Sequence, residues 1–91
     1  IDGVVHNAAV LNNRLSHELS PADFAAVYSP KVTGALVLDR LFPSVGLFVV
    51  ASSMSVFWGP PGMANYAAAN AGIDAVVAAR RARGQHAISI Q

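Results

Sequence analysis

Three short apolar runs mark strands along the chain. Residues 3–5 (GVV) are typical of a buried parallel strand, and Leu47–Ala51 (LFVVA) favours a strand that is buried on both faces. Residues 86–90 (HAISI) alternate in polarity and predict a third strand.

Helical periodicity fills the segments between these runs. Ser20, Pro21 and Asp23 predict a helix start, because they supply a hydroxyl N-cap, a proline at the first helical position and a carboxylate in the first turn. Pro30 then interrupts the pattern. The sequence allows either two helical segments, with Ser29 as the second cap, or one kinked helix.

Residues 64–83 predict a long alanine-rich helix after a Gly/Pro turn at residues 59–62. Its last turn carries arginines that complement the helix dipole, and Gly84 supplies the C-cap. The order β, α, α, β, α, β with crossover helices implies parallel strands. We therefore predict an α/β fold with a Rossmann-like doubly wound parallel sheet, present as a partial domain of three parallel strands.

Composition indicates that the chain is a piece of a larger domain. It has 91 residues, of which 54% are hydrophobic and 12% are charged. A free-standing domain of this size would expose more charged surface.

Charge and residue types exclude several functions. A formal net charge of +1 does not indicate binding to nucleic acid or to a membrane surface. No apolar run reaches the roughly 18 residues that a membrane span needs. The lack of cysteine excludes thiolate catalysis and favours an intracellular, cytoplasmic setting. His6, His17 and His86 lack metal-ligand spacing, so we predict no metal and expect each to be structural or exposed. We expect Asp74 to be solvated or paired with an arginine.

A polar constellation lies between residues 52 and 70. Tyr66 and Asn70 are four apart on the predicted helix, so they share a face that the intervening alanines leave open to a flat ligand. Taken alone, this pattern favours an alanine-rich packing helix with a chance tyrosine. Ser53 ends a strand thirteen residues before Tyr66, and a loop of that length can return the serine to the tyrosine.

At this point the chain resembles the short-chain dehydrogenase/reductase superfamily, and within it the ketoreductase domains of modular type I polyketide synthases. The resemblance covers essentially all 91 residues and would make them the C-terminal catalytic part of such a domain. Ordinary short-chain reductases carry Tyr-x-x-x-Lys, whereas the polyketide branch has asparagine there and a lysine in an earlier helix. The segments that carry the resemblance are YAAANA from Tyr66, the serine pair at residues 52–53, SPKVTG around Lys31 and GVVH at residues 3–6.

The resemblance implies catalytic roles for four residues: Tyr66 as proton donor, Ser53 as a hydrogen-bond donor to the substrate carbonyl, and Lys31 and Asn70 completing the site. A phenol that can release a proton suits ketone reduction, and a neighbouring ammonium favours that release. The alternatives are a solvated helix lysine and a strand-capping serine. The cofactor-binding residues implied are Asn7, Ala8, Ala9, Ser52, Tyr66 and Lys31.

Two further features concern substrate binding and stereocontrol. In the resembled family, a tryptophan at the position of Trp58 marks A-type ketoreductases, whereas B-type members carry Leu-Asp-Asp where this chain has Leu11-Asn12-Asn13. Met63 departs from the Gln or His of many A-type members. The alternative for Trp58 is an aromatic anchor that packs the loop.

The implied function is NADPH-dependent reduction of a β-ketoacyl thioester on the phosphopantetheine arm of an acyl carrier protein, within a chain that carries other polyketide synthase domains. The Gly-rich phosphate loop of dinucleotide-binding folds is absent from these residues and is expected upstream. We therefore expect the isolated piece to be inactive and its unpaired sheet edges to promote aggregation. The alternative function is a non-catalytic segment of the same fold that binds a nucleotide or a partner.

Overall fold

The computed structural model describes residues 1–59 and 61–91. It forms one layer of helices on a three-stranded sheet, in the predicted order of elements. In chain order, the elements are β1 (Gly3–His6), a 3-10 turn (Ser16–Glu18), α1 (Pro21–Tyr28), a π-helical turn (Ser29–Thr33), α2 (Gly34–Leu41), β2 (Leu47–Ala51), α3 (Ser55–Trp58), α4 (Ala64–Ala82) and β3 (Ile88–Ile90).

The three strands are parallel and lie in the order β1-β2-β3, with Val5 opposite Val49 and Val49 opposite Ile88. This confirms the predicted Rossmann-like parallel sheet. Because the strands are added in one direction, crossovers of one hand place all the helices on the same face. The core lies between that face and the helices, and its largest apolar members are Val27, Phe48, Val50, Ile73 and Val77.

The prediction that the strands are buried on both faces is wrong for this chain. Exposure alternates along β1 and β2: Val4 and Phe48 are buried, whereas Val5 and Leu47 are exposed. The continuous apolar runs of the sequence suit a doubly wound sheet with two helical layers, of which these residues supply one.

Residues 21–41 form one continuous helix, not two capped segments. The start is as predicted, since Ser20 and Asp23 form a reciprocal capping box. Ser29 has helical backbone angles (φ −60°, ψ −52°) and is no second cap. The helix passes Pro30 in a π-helical turn, which accommodates a residue that has no N–H to donate.

Other boundaries differ from the sequence prediction by one or two residues. β1 extends to His6, β3 begins at Ile88 instead of residue 86, and α4 ends at Ala82 before Gly84, whose φ of 78° is left-handed. α3 was not predicted. Of the predicted turn at residues 59–62, Pro60 lies outside the described residues.

The last turn of α4 holds the far end of the domain together. Arg80 is fully buried and donates to Asp39 and to the carbonyl oxygens of Phe42, Pro43 and His86. Arg80 therefore acts mainly through these specific hydrogen bonds, and less through the favourable interaction with the α4 dipole that the sequence predicted.

Asp74 and the histidines have specific partners of their own. The predicted arginine partner of Asp74 is wrong, because its carboxylate accepts from Ser89 and Gln91. The histidines are structural or exposed, as predicted: His6 is buried, and His86 is exposed with a ring nitrogen that accepts from the backbone N–H of Phe48.

Within the described part of the chain, no helix combines the length and apolarity that a membrane crossing needs.

Candidate active site

The candidate site residues gather beyond the carboxyl ends of β1 and β2. Asn7 follows β1 directly, Ser52 and Ser53 follow β2, and α4 begins close to them with Tyr66 in its first turn. In a parallel α/β sheet, ligands bind at this edge. The π-helical turn brings Lys31 to the same edge, where its ammonium group reaches the last residue of β2.

Lys31 is not a solvated helix lysine. Its side chain is 2% exposed, and Nζ donates to the carbonyl oxygen of Ala51 over 2.8 Å. The same nitrogen lies 5.5 Å from the centroid of the Tyr66 ring. A cation at this distance from an aromatic ring is attracted to it.

The charge of Lys31 is poorly compensated. Burial lowers the pKa of the Lys31 ammonium, and the negative charge of Asp74 opposes this shift. Within residues 1–59 and 61–91, no carboxylate lies within salt-bridge distance of Nζ, and only the Ala51 carbonyl accepts one of its three hydrogens. A buried ammonium in this environment is suited to stabilise negative charge that develops beside it.

Tyr66 and Asn70 differ in exposure, although they lie on one face of α4. Tyr66 is partly buried, whereas Asn70 is completely buried and its Nδ2 donates to the Tyr66 carbonyl over 2.9 Å. The prediction of an open face is therefore wrong at Asn70 and holds only toward Tyr66. Within the described residues, Asn70 Oδ1 has no hydrogen-bond partner, so a polar acceptor remains available in the interior.

The two serines after β2 make different contacts. The Ser52 hydroxyl donates to the Asn70 carbonyl over 3.3 Å and connects the strand end to α4. The Ser53 oxygen accepts from the backbone N–H of Ser55, the first residue of α3, over 3.1 Å. Ser53 is half-buried, and within the described residues no acceptor takes its hydroxyl hydrogen.

The remaining candidates lie in the segments that follow β1, end α3 or precede α4. Trp58 is 75% exposed at the end of α3, so the alternative of a packed loop anchor does not hold. Met63 is partly buried and immediately precedes α4. Asn7, Ala8 and Ala9 form an exposed small-residue loop after β1. Within the described residues, no cluster of three metal-ligating side chains forms.

Sequence reasoning missed Asn65, which connects α4 with α1 and with the segment after β1. Its Nδ2 donates to the carbonyl oxygens of Asn12 (2.7 Å) and Asp23 (3.2 Å), and its Oδ1 accepts the N–H of Tyr66 (2.9 Å). It is 1% exposed. An amide in the first turn of an otherwise alanine-rich helix was the available signal, since such side chains satisfy free N–H groups at helix starts.

Sequence reasoning also did not assign His6 to the site. Its ring nitrogen Nε2 lies 2.8 Å from the carbonyl oxygen of Lys31, in a buried contact between β1 and the π-helical turn. The position of His6 at the carboxyl end of a strand was the available signal.

Comparison with known proteins gives consistent matches over the whole chain. The family model described as the KR domain matches residues 1–91. The chain is 43% identical over 93 aligned positions to the Cluster 41 polyketide synthase of Aspergillus flavus, covering 100% of this chain and 8% of that protein.

Solved structures share the fold closely. The ketoreductase from the first module of phoslactomycin biosynthesis in Streptomyces sp. HK803 superposes with a TM-score of 0.94 at 43% identity, covering 98% of this chain and 21% of that one. The first ketoreductase of the tylosin polyketide synthase gives 0.92 at 40% identity, covering 97% and 20%. With every residue matched by the family model, and with a fold and sequence similar to these enzymes, the chain belongs to the ketoreductase (KR) domain family of polyketide synthases.

Proposed function

We propose that this chain is the C-terminal catalytic part of a ketoreductase domain that reduces a β-ketoacyl thioester to a β-hydroxyacyl thioester during polyketide chain extension. The observation that carries the proposal is the environment of Lys31. Among the residues that the structure describes, the buried Lys31 ammonium has one backbone acceptor and no carboxylate within salt-bridge distance, and it lies beside the ring of Tyr66. A purely structural lysine would be expected to have an ionic partner or solvent.

The reaction needs a proton at the ketone oxygen. When bound, the nicotinamide cofactor supplies the hydride that adds to the carbonyl carbon. As the carbonyl π bond breaks, negative charge develops on oxygen, and Tyr66 transfers its hydroxyl proton to that atom. The Lys31 ammonium then faces the phenolate that remains and stabilises its charge. Ser53 donates its free hydrogen to the same substrate oxygen.

The residues fit a nicotinamide cofactor at the sheet edge. Asn7, Ala8 and Ala9 are exposed after β1, and the two alanine side chains are small enough for a flat ring to approach the backbone. Ser52, Tyr66 and Lys31 would face the nicotinamide ribose from the other side. We propose NADPH as the cofactor, with its pyrophosphate held by a Gly-rich loop upstream of these residues.

The substrate is proposed to arrive on the phosphopantetheine arm of an acyl carrier protein in the same synthase. Trp58 at the end of α3 and Leu11 in the segment after β1 are both exposed apolar side chains, and an acyl thioester needs such surface. Trp58 together with Leu11-Asn12-Asn13 favours A-type facial selectivity, and Met63 lies at the start of the catalytic helix.

The decisive experiment is Tyr66→Phe in the complete ketoreductase domain, with NADPH oxidation measured against a β-ketoacyl thioester. Removing only the hydroxyl should lower kcat by roughly 10²- to 10⁴-fold, the usual contribution of a general acid. Tyr28→Phe is the matched control, because Tyr28 is the other tyrosine of the chain and is exposed on α1. Unchanged turnover in Tyr66→Phe would refute the proton-donor role, and tight nucleotide binding without any turnover in the unmodified domain would favour the non-catalytic alternative.

A further inference from the structure

The carbonyl oxygen of Lys31 is held by a buried imidazole. Nε2 of His6 lies 2.8 Å from it, and His6 is 6% exposed. Because a carbonyl oxygen has no hydrogen to give, the imidazole must carry a proton on Nε2 and donate it. The bond joins β1 to the π-helical turn, 25 residues apart in sequence.

The hydrogen bonds of the π-helical turn are irregular, and the Lys31 carbonyl accepts from Gly34 within the turn as well as from His6. Gly34 donates its N–H to the oxygens of both Ser29 and Lys31, so the hydrogen bonds in this turn are shared. Pro30 contributes no donor. Turns of this kind are rare and recur at functional sites, and here the turn contains the lysine that the proposed function requires.

The space for the imidazole depends on Gly34. A Cβ atom at that position would lie 3.2 Å from Cε1 of His6, closer than ordinary van der Waals contact. Lys31 is therefore constrained at both ends: His6 holds its backbone oxygen, and Ala51 accepts from its ammonium group.

We propose that His6 is a positioning residue for the reaction: by donating to the Lys31 carbonyl it fixes the π-helical turn so that the Lys31 ammonium is held at Ala51 beside Tyr66. This inference rests on the proposed function for the role of Lys31. The hydrogen bond and its effect on the Lys31 side chain can nevertheless be tested without measuring turnover.

The test measures how accessible Lys31 is to acylation in the complete ketoreductase domain. Lys31 is the only lysine among these residues, with arginines at positions 14 and 40. Because trypsin does not cleave after an acylated lysine, modification by acetic anhydride yields peptide 15–40, whereas an unmodified lysine yields peptides 15–31 and 32–40. Mass spectrometry of the two sets gives the acylation rate.

In His6→Ala the acylation rate should rise about tenfold, the population change that corresponds to losing one buried hydrogen bond. His6→Gln retains a side-chain N–H donor and should return the rate to within about threefold of the original. The value of kcat should follow the same order, falling in His6→Ala and recovering in His6→Gln, whereas KM for the thioester stays constant because His6 does not face the substrate.

Two controls separate the bond from general loosening. Val4→Ala removes a buried side chain from the same face of β1 without touching the imidazole, and it should leave Lys31 protected. Gly34→Ala keeps the imidazole but crowds it, and should raise the acylation rate, whereas Gly46→Ala, where a Cβ has no neighbour within 4 Å, should not.

The proposal is overturned if His6→Ala leaves the acylation rate unchanged, if Val4→Ala raises it as much, or if His6→Gln fails to restore it. Should His6→Ala not fold, Gly34→Ala against Gly46→Ala decides the question. A failure of the proposed function has a different signature: turnover that survives in Tyr66→Phe, with the acylation pattern of the His6 variants intact.

Discussion

Lys31 is the only lysine of the chain, and the fold places its ammonium group 2.8 Å from the Ala51 carbonyl in the interior. Burial lowers the pKa of the Lys31 ammonium, and the negative charge of Asp74 opposes this shift only in part. The Lys31 ammonium is therefore held in one position, where solvent screens its positive charge only weakly. Solvent would screen the same charge at the surface.

Trp58 is the residue for which exposure matters most. An indole that is 75% exposed contributes little to folding, so Trp58→Ala should change the free energy of unfolding by less than about 0.5 kcal/mol. If it guides the acyl chain, KM for the β-ketoacyl thioester should rise roughly tenfold, since an indole contact of about 1.4 kcal/mol is lost. The configuration of the alcohol should also become mixed, as chiral chromatography of the product would show.

Phe57→Ala is the matched control, because Phe57 is the neighbouring exposed aromatic of the same short helix. It should leave both KM and product configuration unaltered. A B-type alcohol from the unmodified domain, or equal effects in the two variants, would contradict the role assigned to Trp58.

At the scale of elements, the contact between α4 and the helix over residues 21–41 controls the site geometry. Gly72 allows the two helices to approach: a Cβ there would lie 2.9 Å from Cγ2 of Val32 and 3.3 Å from Cε2 of Tyr28. Val32 follows Lys31 in the π-helical turn and is 2% exposed. The packing at Gly72 therefore bears directly on the turn that positions the ammonium group.

Gly72→Ala should destabilise the domain by about 1 to 2 kcal/mol. Alanine improves helix propensity by roughly 1 kcal/mol, but overpacking costs about 1 to 3 kcal/mol, and because the rigid Val32 side chain cannot move aside easily we expect the upper part of that range, about 2 to 3 kcal/mol. Urea unfolding of the complete domain measures the difference. Gly46→Ala, where a Cβ meets nothing within 4 Å, is the control and should be neutral; equal midpoints for both variants would contradict the packing argument.

At the scale of the whole molecule, Arg80 connects the helical layer with the sheet. Its guanidinium donates to Asp39 over 2.8 Å and stacks 4.2 Å from the centroid of Phe48. Arg83 binds the same carboxylate over 2.7 Å from a more exposed position. This cluster holds the loop before β2 through the Phe42 and Pro43 carbonyls, at the end of the strand opposite Lys31.

Acid stability should depend on Asp39. Burial alone would raise the pKa of its carboxyl, but the hydrogen bonds and charges of Arg80 and Arg83 outweigh that effect and lower it. A lowered folded-state pKa gives stability that is fully present above the unfolded value of about 3.9 and is lost as the pH falls through the folded pKa. The free energy of unfolding should therefore decrease in this acid range.

Asp39→Asn should remove this part of the acid dependence and cost about 3 kcal/mol at pH 7, because the buried Arg80 loses its countercharge. Denaturant unfolding of the complete domain from pH 3 to pH 7 measures both effects. Asp2→Asn, at an exposed position, should retain the steep acid dependence. An Asp39→Asn domain with the original pH profile would contradict the assignment.

Site contacts between residues close in sequence could be predicted, whereas contacts between residues far apart in sequence could not. Tyr66 and Asn70 follow from helical spacing, and their connection through the Tyr66 carbonyl is local. The partners of Lys31 could not be predicted, because Ala51 lies 20 residues away and the π-helical turn leaves no simple periodic signal. The contacts of Asn65 could not be predicted for the same reason, because the carbonyl oxygens of Asn12 and Asp23 that accept from it lie 53 and 42 residues away.

The sequence by itself determined the three strands, the helical segments between them other than α3, and the parallel sheet, because apolar periodicity, the Ser20–Asp23 cap and the turn residues act over a few positions. It also supplied the candidate site residues. Only the tertiary structure decided that residues 21–41 form one helix, that one sheet face is covered here, and that Lys31 is buried beside Tyr66. These outcomes depend on contacts between distant segments, where the desolvation of a charge and the close approach of two helices outweigh local preference.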